Sequence, residues 1–323
     1  MTNLVDAEGP ILERILADTH SIWHDGLTPH AYGRFYAAQV ATPWGRTHLR
    51  RLALVDGDDV LASAKLYAFD AVLDSIPIKV AGIGAVFTSQ ASRGRGAARD
   101  LIERLLDRAA ADGADLALLF SEIGPDYYAR LGFGAIAIPD RQLRVTESAR
   151  YGAPMTMVRG GDDRDLAAII VMNTTRAEPY RFHLTRDREL VSFAIARKRL
   201  LAGLGPSGVR ILHFFVAEEG GSAAAYAVIA VRGREWTLEE AGDRDPSGAR
   251  VGAILQALIA REPAEQRPSI TAWLPDSFLP PQVTVIAEQP SADVMMVRAL
   301  TPAARPASAL RPEQVMYWRA DIF

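Results

Sequence analysis

Val80-Ala-Gly-Ile-Gly-Ala-Val-Phe-Thr88 runs into Ser-Gln-Ala-Ser-Arg93-Gly-Arg-Gly-Ala-Ala98, and this stretch of the 323-residue chain decides the fold. Its first part reads as an apolar strand and its second as a glycine-rich turn. Apolar residues then recur at helical spacing as far as Ala109, so the turn opens an amphipathic helix. The first N–H groups of a helix have no intrahelical partner and lie at the positive end of its dipole. With two glycines and two arginines beside them, they are predicted to bind a pyrophosphate.

The spacing Arg93-x-x-Gly96-x-Ala98 distinguishes this turn from other phosphate-binding loops. It lacks the Gly-Lys-Ser/Thr of a P-loop, and Arg99 occupies the position of the third glycine in a dinucleotide-binding motif. Gly82 and Gly84 lie inside the strand, which indicates a bulge or a close approach of another group to the backbone. By itself the stretch supports only an anion-binding helix start.

The order helix–helix–hairpin–strand–helix–strand occurs twice along the chain. Residues 10–41 read as helices, strands begin at Leu49, and the same sequence of elements resumes at Arg164 and ends with a strand near Trp273. We therefore predict a tandem duplication, with an N-terminal domain over residues 1–158 and a C-terminal domain over 159–323. Each domain is expected to be of the α/β (α+β) class, with a mixed, mostly antiparallel sheet flanked by helices.

The composition excludes several classes of function. The net charge is −3, from 36 basic and 39 acidic residues, which argues against binding to nucleic acid or to an anionic membrane. The chain has no cysteine, so disulfides and thiolate chemistry are absent. His20 and His24 lie one helical turn apart, but no third ligand is evident, and no metal is expected. Since the N-terminus does not read as a signal peptide, we expect a cytoplasmic protein without membrane contacts.

A second motif, Tyr127-Tyr128-Ala-Arg-Leu-Gly132-Phe133, follows the next apolar strand. Together with the Arg93–Ala98 turn it resembles the two signatures of the GNAT superfamily of N-acetyltransferases, which implies tandem GNAT-like domains. The resemblance is good over residues 45–140 and holds only in outline over 160–323. Local strings around Ala85–Thr88 and Phe120–Phe133 are similar to the fungal lysine N6-acetyltransferases and their bacterial relatives. The tandem arrangement is similar to mycothiol synthase and to the enhanced-intracellular-survival aminoglycoside acetyltransferases.

The resemblance implies a site for acetyl-CoA as the acyl donor, and no metal. In this family the pantetheine inserts beside the splayed strand, and an N–H there polarises the thioester carbonyl. The residues that this assigns to the cofactor are Val86, Phe87, Thr88, Arg93, Gly94, Arg95, Gly96, Ala97 and Ala98.

The resemblance also implies catalytic groups. Tyr128 lies at the position of the family's general acid, with Tyr127 as the alternative. Glu122 is the candidate general base, acting through water, and its open alternative is a cap on the short helix that follows. Trp23, His24 and Tyr36 are expected in the acceptor wall.

Arg46, Arg50 and Arg51 are interpreted as a solvated strand edge rather than as an anion site. In the second half, the turn that corresponds to Arg93–Ala98 reads Gly242-Asp-Arg-Asp-Pro-Ser-Gly248. Acidic residues replace the arginines there, and Pro246 removes one N–H donor. This predicts a C-terminal domain that keeps the fold but has lost the cofactor.

The function implied is transfer of an acetyl group from acetyl-CoA to a small primary amine, with an amino acid such as lysine as the lead acceptor. A non-catalytic acyl-CoA sensor or interaction module and a protein-lysine acetyltransferase remain as alternatives. The expected partner is the small-molecule amine, and a homodimer is left open.

Overall fold

A computed structural model describes residues 1–146, 157–275 and 277–323. The α-helices of these residues are α1 (Gly9–Trp23), α2 (Pro29–Ala41), α3 (Pro43–His48), α4 (Ala97–Ala111), α5 (Asp126–Ala129), α6 (Leu166–Ala177), α7 (Arg188–Leu204) and α8 (Ala249–Ile259).

The strands are β1 (Asn3–Asp6), β2 (Leu49–Asp56), β3 (Asp59–Leu73), β4 (Ile76–Thr88), β5 (Leu116–Ser121), β6 (Gly134–Ile136), β7 (Pro139–Val145), β8 (Met157–Gly160), β9 (Phe182–Leu184), β10 (Arg210–Glu219), β11 (Ser222–Arg232), β12 (Glu235–Asp243), β13 (Ile270–Ala272), β14 (Val283–Pro290), β15 (Val294–Ala299) and β16 (Val315–Met316).

The strands form two mixed sheets flanked by helices, which confirms the predicted fold class. The first sheet has the order β1-β2-β3-β4-β5-β15-β6, with β9 and β16 attached beside β3. The second has the order β14-β7-β13-β12-β11-β10-β8. In each sheet a long strand pairs in parallel with the strand that follows the next helix, β4 with β5 and β12 with β13.

The two halves repeat the same order of elements, as the sequence predicted. Helices α1 and α2 precede β2 to β4, α4 and β5, and helices α6 and α7 precede β10 to β12, α8 and β13. The amphipathic pattern of α4 places Leu101, Ile102 and Leu105 fully in the core beneath the first sheet. In the second half Ile254, Leu255 and Leu258 of α8 are buried in the same way.

Each sheet contains a strand from the other part of the chain. β15 lies between β5 and β6 in the first sheet, although it follows β14 in sequence. β7 lies between β13 and β14 in the second sheet, although it follows β6. The division at 158/159 stays a prediction, and the segment 147–156 just before it lies outside the described residues. The sequence analysis assigned no element after Trp273 and so missed this exchange.

No helix within the described ranges is long and apolar enough to cross a membrane.

Candidate active site

β4 and β5 separate at the point where the sequence predicts the thioester. Their parallel pairing ends at Ile83 opposite Leu119, while β4 continues to Thr88. On its other side β4 has a register shift, so that Ala85 and Val86 together oppose one residue of β3. Ala85 has a φ of 47°, a left-handed conformation that is strained for a residue with a side chain. The predicted bulge is therefore present immediately after Gly84, at the mouth of the gap between the two strands.

Backbone groups of β4 face this gap. Ser89 donates its N–H to the Leu61 carbonyl of β3 at 2.9 Å. Because successive residues of a strand alternate in the side to which their N–H and C=O point, those of Thr88 and Val86 point away from β3. They lie on the side from which β5 has diverged, where an extended ligand could pair with them. Phe87 pairs with Ser63 of β3 instead, and its side chain is buried.

The N-terminus of α4 has unpaired donors. Gly94 and Gly96 have φ values of 71° and 82°, which glycine adopts without strain. No hydrogen-bond acceptor among the described residues pairs with the N–H groups of Gly96, Ala97 or Ala98, the last two being the first residues of the helix. Arg93 and Arg95 are exposed on the same turn. This end of α4 therefore offers backbone donors and positive charge to an anion.

The corresponding end of α8 is filled by a carboxylate of the chain itself. Gly248 repeats the left-handed φ of Gly96, at 71°. The buried Asp243 then accepts hydrogen bonds from the N–H of Arg250 at 2.9 Å and of Val251 at 3.4 Å. It also accepts one from the Arg250 side chain at 3.0 Å. The donors that are unpaired at α4 are thus satisfied at α8, and this supports the expectation that the second half binds no pyrophosphate.

Tyr128 and Glu122 line one cavity of about 320 Å³ with Ala85 and Val86. Burial raises the pKa of the Tyr128 phenol to about 12, and Tyr127 and Glu122 contribute in the same direction. The phenol therefore keeps its proton at any pH near neutrality. Burial and the neighbouring Asp293 carboxylate raise the pKa of Glu122 above its usual range. The predicted acid and base thus share a cavity at the open end of the β4–β5 gap.

Glu122 does not cap the short helix α5, which has no side-chain cap. The alternative role of Glu122 as a helix cap is therefore wrong. In the turn before α5 it is Ser121 that forms a side-chain hydrogen bond, donating its hydroxyl to the Gly124 carbonyl at 2.5 Å. The neighbouring Trp23 indole instead lowers the pKa of the Glu122 carboxyl and partly offsets its rise.

Two of the three residues expected in the acceptor wall line the cavity. They are Trp23 of α1 and Tyr36 of α2. His24 is exposed at the end of α1 and is not part of the lining, and its Nδ1 accepts the N–H of Gly26 at 2.9 Å. Within the described ranges no cluster of three or more His, Asp or Glu side chains is placed to hold a metal ion.

Arg51 corrects the interpretation of the Arg46, Arg50 and Arg51 group as a solvated edge. Arg50 points outward and forms an ion pair with Asp6, at 2.6 Å. Arg51, the next residue of β2, points to the opposite face and is only 3% exposed, in the lining of the cavity. The alternation of a strand accounts for the difference, since only one of two adjacent arginines can face solvent.

Lys65 of β3 is a second cavity cation that the sequence analysis did not identify. Its Nζ lies 5.7 Å from the centroid of the Tyr36 ring. Burial lowers the pKa of its ammonium to about 7, and Arg51 and Arg197 contribute in the same direction. Phe323 was missed as well. Its ring packs on Tyr67 at 4.7 Å between centroids, and a Cβ at Gly82 would lie only 2.6 Å from it.

We expect Lys65→Met to stabilise the protein, more at pH 6 than at pH 9.5. The pKa of Lys65 is about 7 in the folded protein, against an ordinary value of 10.5. Below pH 7 the folded protein must therefore bury a charged ammonium group, and this lowers its stability. This penalty is complete below pH 7 and disappears as the pH rises towards 10.5. The difference between the two pKa values corresponds to a loss of roughly 4–5 kcal/mol in the free energy of unfolding. Contact of the ammonium with cavity water reduces this loss to about 2–3 kcal/mol at pH 6. Urea denaturation at the two pH values measures the gain.

Lys79→Met is the matched control, because Lys79 is exposed on β4. We expect it to change the free energy of unfolding by less than about 0.5 kcal/mol. An equal gain from Lys65→Met at both pH values would show that packing, not charge, is responsible.

Comparison with known proteins identifies the first half. Residues 34–136 match the family model described as the acetyltransferase (GNAT) domain. The chain carries a GNAT domain. The match contains the strand β4, the whole of α4 and the Tyr127–Phe133 motif, so these elements of the site lie within the GNAT domain.

Solved structures share the fold over nearly the whole chain. A GCN5-related N-acetyltransferase from Anabaena variabilis matches with a TM-score of 0.69 and 11% identity, covering 93% of this chain and 73% of its own. One from Kribbella flavida matches with a TM-score of 0.66 and 19% identity, covering 93% and 71%. Eis1 from Mycobacterium abscessus matches with a TM-score of 0.57 and 15% identity, covering 95% and 76%. No curated protein matches the chain in sequence.

Proposed function

We propose that this chain transfers an acetyl group from acetyl-CoA to a small primary amine in a ternary complex. The observation that carries the proposal is the contrast between two equivalent helix ends. At α4 the first N–H groups are unpaired, whereas at α8 the Asp243 carboxylate accepts them. We infer that residues 1–158 form the catalytic domain and that residues 159–323 keep the fold without a cofactor.

Successive parts of the site match the successive parts of acetyl-CoA, from the pyrophosphate to the thioester. The α4 N-terminus with Arg93 and Arg95 would bind the pyrophosphate, and Val86 and Thr88 would pair with the pantetheine. This directs the thioester towards the cavity that Ala85 lines. A free N–H of β4 at that point would stabilise the oxyanion, an interaction typically worth about 3 kcal/mol.

Acetyl-CoA supplies a thioester carbonyl, at which the amine forms the amide C–N bond while the C–S bond breaks. Glu122 takes the proton that the amine nitrogen loses, directly or through water. Tyr128 donates its hydroxyl to the departing sulfur. An ordinary thiol has a pKa of about 8.5, well below the value of about 12 for Tyr128. The phenol is therefore better suited to hydrogen-bond the developing thiolate than to transfer its proton completely.

The acceptor is proposed to be small because helices α1 and α2 cover a cavity of about 320 Å³. An amino acid such as lysine is the lead candidate, from the local resemblance to the lysine N6-acetyltransferases. The deciding assay follows release of free thiol from acetyl-CoA with a panel of amines. Thiol release that depends on the amine, with one amide formed for each thiol, supports an acetyltransferase. Binding of acetyl-CoA without turnover across the panel would contradict it and favour a sensor.

Arg93→Ala is expected to raise the KM for acetyl-CoA about tenfold at nearly unchanged kcat, because one charged contact to phosphate is lost. Steady-state kinetics with varied acetyl-CoA measure this effect. Arg244→Ala is the matched control, since Arg244 lies in the corresponding turn of the second half and is expected to leave the KM unchanged. Equal effects of the two substitutions would contradict the assignment of the pyrophosphate to α4.

A further inference from the structure

Two cations in the cavity lie directly opposite each other. Arg51 of β2 and Lys65 of β3 are cross-strand partners, so their side chains lie on the same face of the sheet. Like charges in this position repel each other and destabilise a sheet. Neither side chain forms an ion pair with a carboxylate among the described residues. An unneutralised pair of buried cations is costly to the fold, and a ligand of opposite charge would remove that cost.

The guanidinium group of Arg51 has N–H donors that no acceptor among the described residues uses. Its Nη2 donates to the Ser63 hydroxyl at 3.3 Å, and Tyr32 is its other hydroxyl neighbour. Its Nε and Nη1 are buried and have no hydrogen-bond partner in the part of the chain that the structure describes. Buried guanidinium N–H groups are normally paired. Because Arg51 lines the cavity, its two unpaired nitrogens indicate that a hydrogen-bond acceptor from a bound ligand pairs with them.

A carboxylate that acts on the neighbouring Arg197 is already engaged, since Asp321 is paired with Arg186 at 3.1 Å. Arg197, the third cation beside Lys65, donates to the backbone carbonyls of Ala320 and Ile322. Among the described residues, the other titratable groups around Lys65 and Arg51 are the tyrosines Tyr32, Tyr36 and Tyr67. The main-chain carboxyl oxygen of Phe323 also faces the cavity, 3.0 Å from where a Cβ at Gly84, the cross-strand partner of Lys65, would lie.

Another part of the lining of the same cavity is acidic. Glu122 lies there with Asp25 and Asp293, and these two raise its pKa. Neither Arg51 nor Lys65 is among the groups that shift the pKa of Glu122, and Glu122 does not shift that of Lys65. The cavity thus has two separate poles: the basic pole of Arg51 and Lys65, and the acidic pole of Glu122, Asp25 and Asp293.

We propose that the basic pole is a subsite for the carboxylate of the acceptor, whose reacting amine lies at the acidic pole beside Tyr128. The acceptor is then a zwitterion with a carboxylate and a distant amine, such as a diamino acid. This inference rests on the proposed function. It adds that Arg51 and Lys65 select acceptors that carry a carboxylate, each by a charge-assisted hydrogen bond.

The test compares L-lysine with cadaverine, which is lysine without its carboxylate, as acceptors at saturating acetyl-CoA. With the full chain we expect kcat/KM to be about 50-fold higher for lysine, from charge-assisted hydrogen bonds to one carboxylate. Lys65→Gln and Arg51→Gln should each bring the ratio of kcat/KM for lysine to that for cadaverine to within about threefold of one. Arg50→Gln is the matched control, since the adjacent Arg50 faces solvent, and it should keep the preference.

The preference should also depend on pH. A carboxylate binds best to protonated Lys65, whose pKa is about 7 without ligand. The ratio of kcat/KM for lysine to that for cadaverine should therefore fall about tenfold between pH 6.5 and 8.5. Both molecules react through a similar distant amine, so the ionisation of the acceptor cancels in the ratio. Lys65→Arg, which stays charged, should keep the preference and lose this pH dependence.

Equal kcat/KM for lysine and cadaverine would overturn the inference and leave the proposed function standing. The basic pole could instead bind a carboxylate of the acyl donor. A preference for a dicarboxylic donor such as succinyl-CoA over acetyl-CoA that is lost in Lys65→Gln would overturn the assignment to the acceptor. If no amine releases thiol, the proposed function fails. Calorimetric titration with lysine and cadaverine then decides the subsite: tighter binding of lysine that Lys65→Gln abolishes supports it, and equal or absent binding overturns it.

Discussion

Tyr128→Phe is expected to lower kcat about 100- to 1000-fold, with the KM for acetyl-CoA nearly unchanged. The substitution removes one oxygen from a ring that is 8% exposed and packs edge-on against Phe133 at 6.1 Å between centroids. The packing is retained, so the loss falls on the hydrogen bond to the departing thiolate. Initial rates of thiol release measure it, with binding of coenzyme A as the check that the donor site is intact.

Tyr127→Phe is the control, since Tyr127 is the neighbouring residue and the alternative acid. Its ring is half-buried and Arg130 lies 5.9 Å from its centroid. We expect kcat to stay within about threefold. If Tyr127→Phe is the damaging change and Tyr128→Phe is not, the roles of the two tyrosines are exchanged. Because the pKa of Tyr128 is about 12, its ionisation should cause no fall in rate between pH 7 and 10.

Arg186→Met is expected to lower the free energy of unfolding by about 3–5 kcal/mol at pH 8. Arg186 is buried between two carboxylates, with ion pairs to Glu240 and to Asp321. Burial already raises the pKa of both carboxyls, against the lowering effect of Arg186. Without the guanidinium the folded state must bury two unpaired charges or bind protons. Stability should therefore fall as the pH rises from 5 to 8, which urea denaturation at both values can measure.

Two further variants test this cause. Arg188→Met, at an exposed position at the start of α7, should change stability by less than about 0.5 kcal/mol. Adding Glu240→Gln and Asp321→Asn to Arg186→Met removes the charges and should recover most of the loss. A loss below about 1 kcal/mol for Arg186→Met alone would show that these ion pairs contribute little to the stability of the fold. Asp321 lies two residues before Phe323, so the same substitution is also expected to disturb the cavity.

Local patterns in the sequence predicted several structural features on the proposed donor side of the site. The Arg93–Ala98 turn, the bulge after Gly84 and the acidic turn before α8 all follow from residues that are close together in the chain. The acceptor side depends on which face of a strand points inward. Adjacent Arg50 and Arg51 look equivalent in sequence, and only the register of β2 against β3 distinguishes them. Lys65 enters the cavity through the register of the β2–β3 hairpin, and Phe323 through contacts with strands far away in the sequence, for which no local signal exists.

The order of elements was also predictable, but strand membership was not. Alternation and glycine turns indicate that a strand is present, yet they do not specify its partner. β7 was expected from its sequence, and nothing in residues 139–145 shows that its partners are β13 and β14. The ion pair of Arg186 with Glu240 joins residues 54 positions apart in the sequence and is likewise visible only in the folded structure.

The strand exchange has a consequence for the history of the chain. A single ancestral domain with this topology would lack the strand that lies beside β5, and a second copy would have to supply it. Such an ancestor would have been an obligate dimer with swapped strands. Fusion of its duplicated gene would convert that dimer into one polypeptide, and one copy could then lose its catalytic site without being lost itself. A second half that binds no cofactor would still be required in such a chain, because its strand β15 lies between β5 and β6 and completes the first sheet.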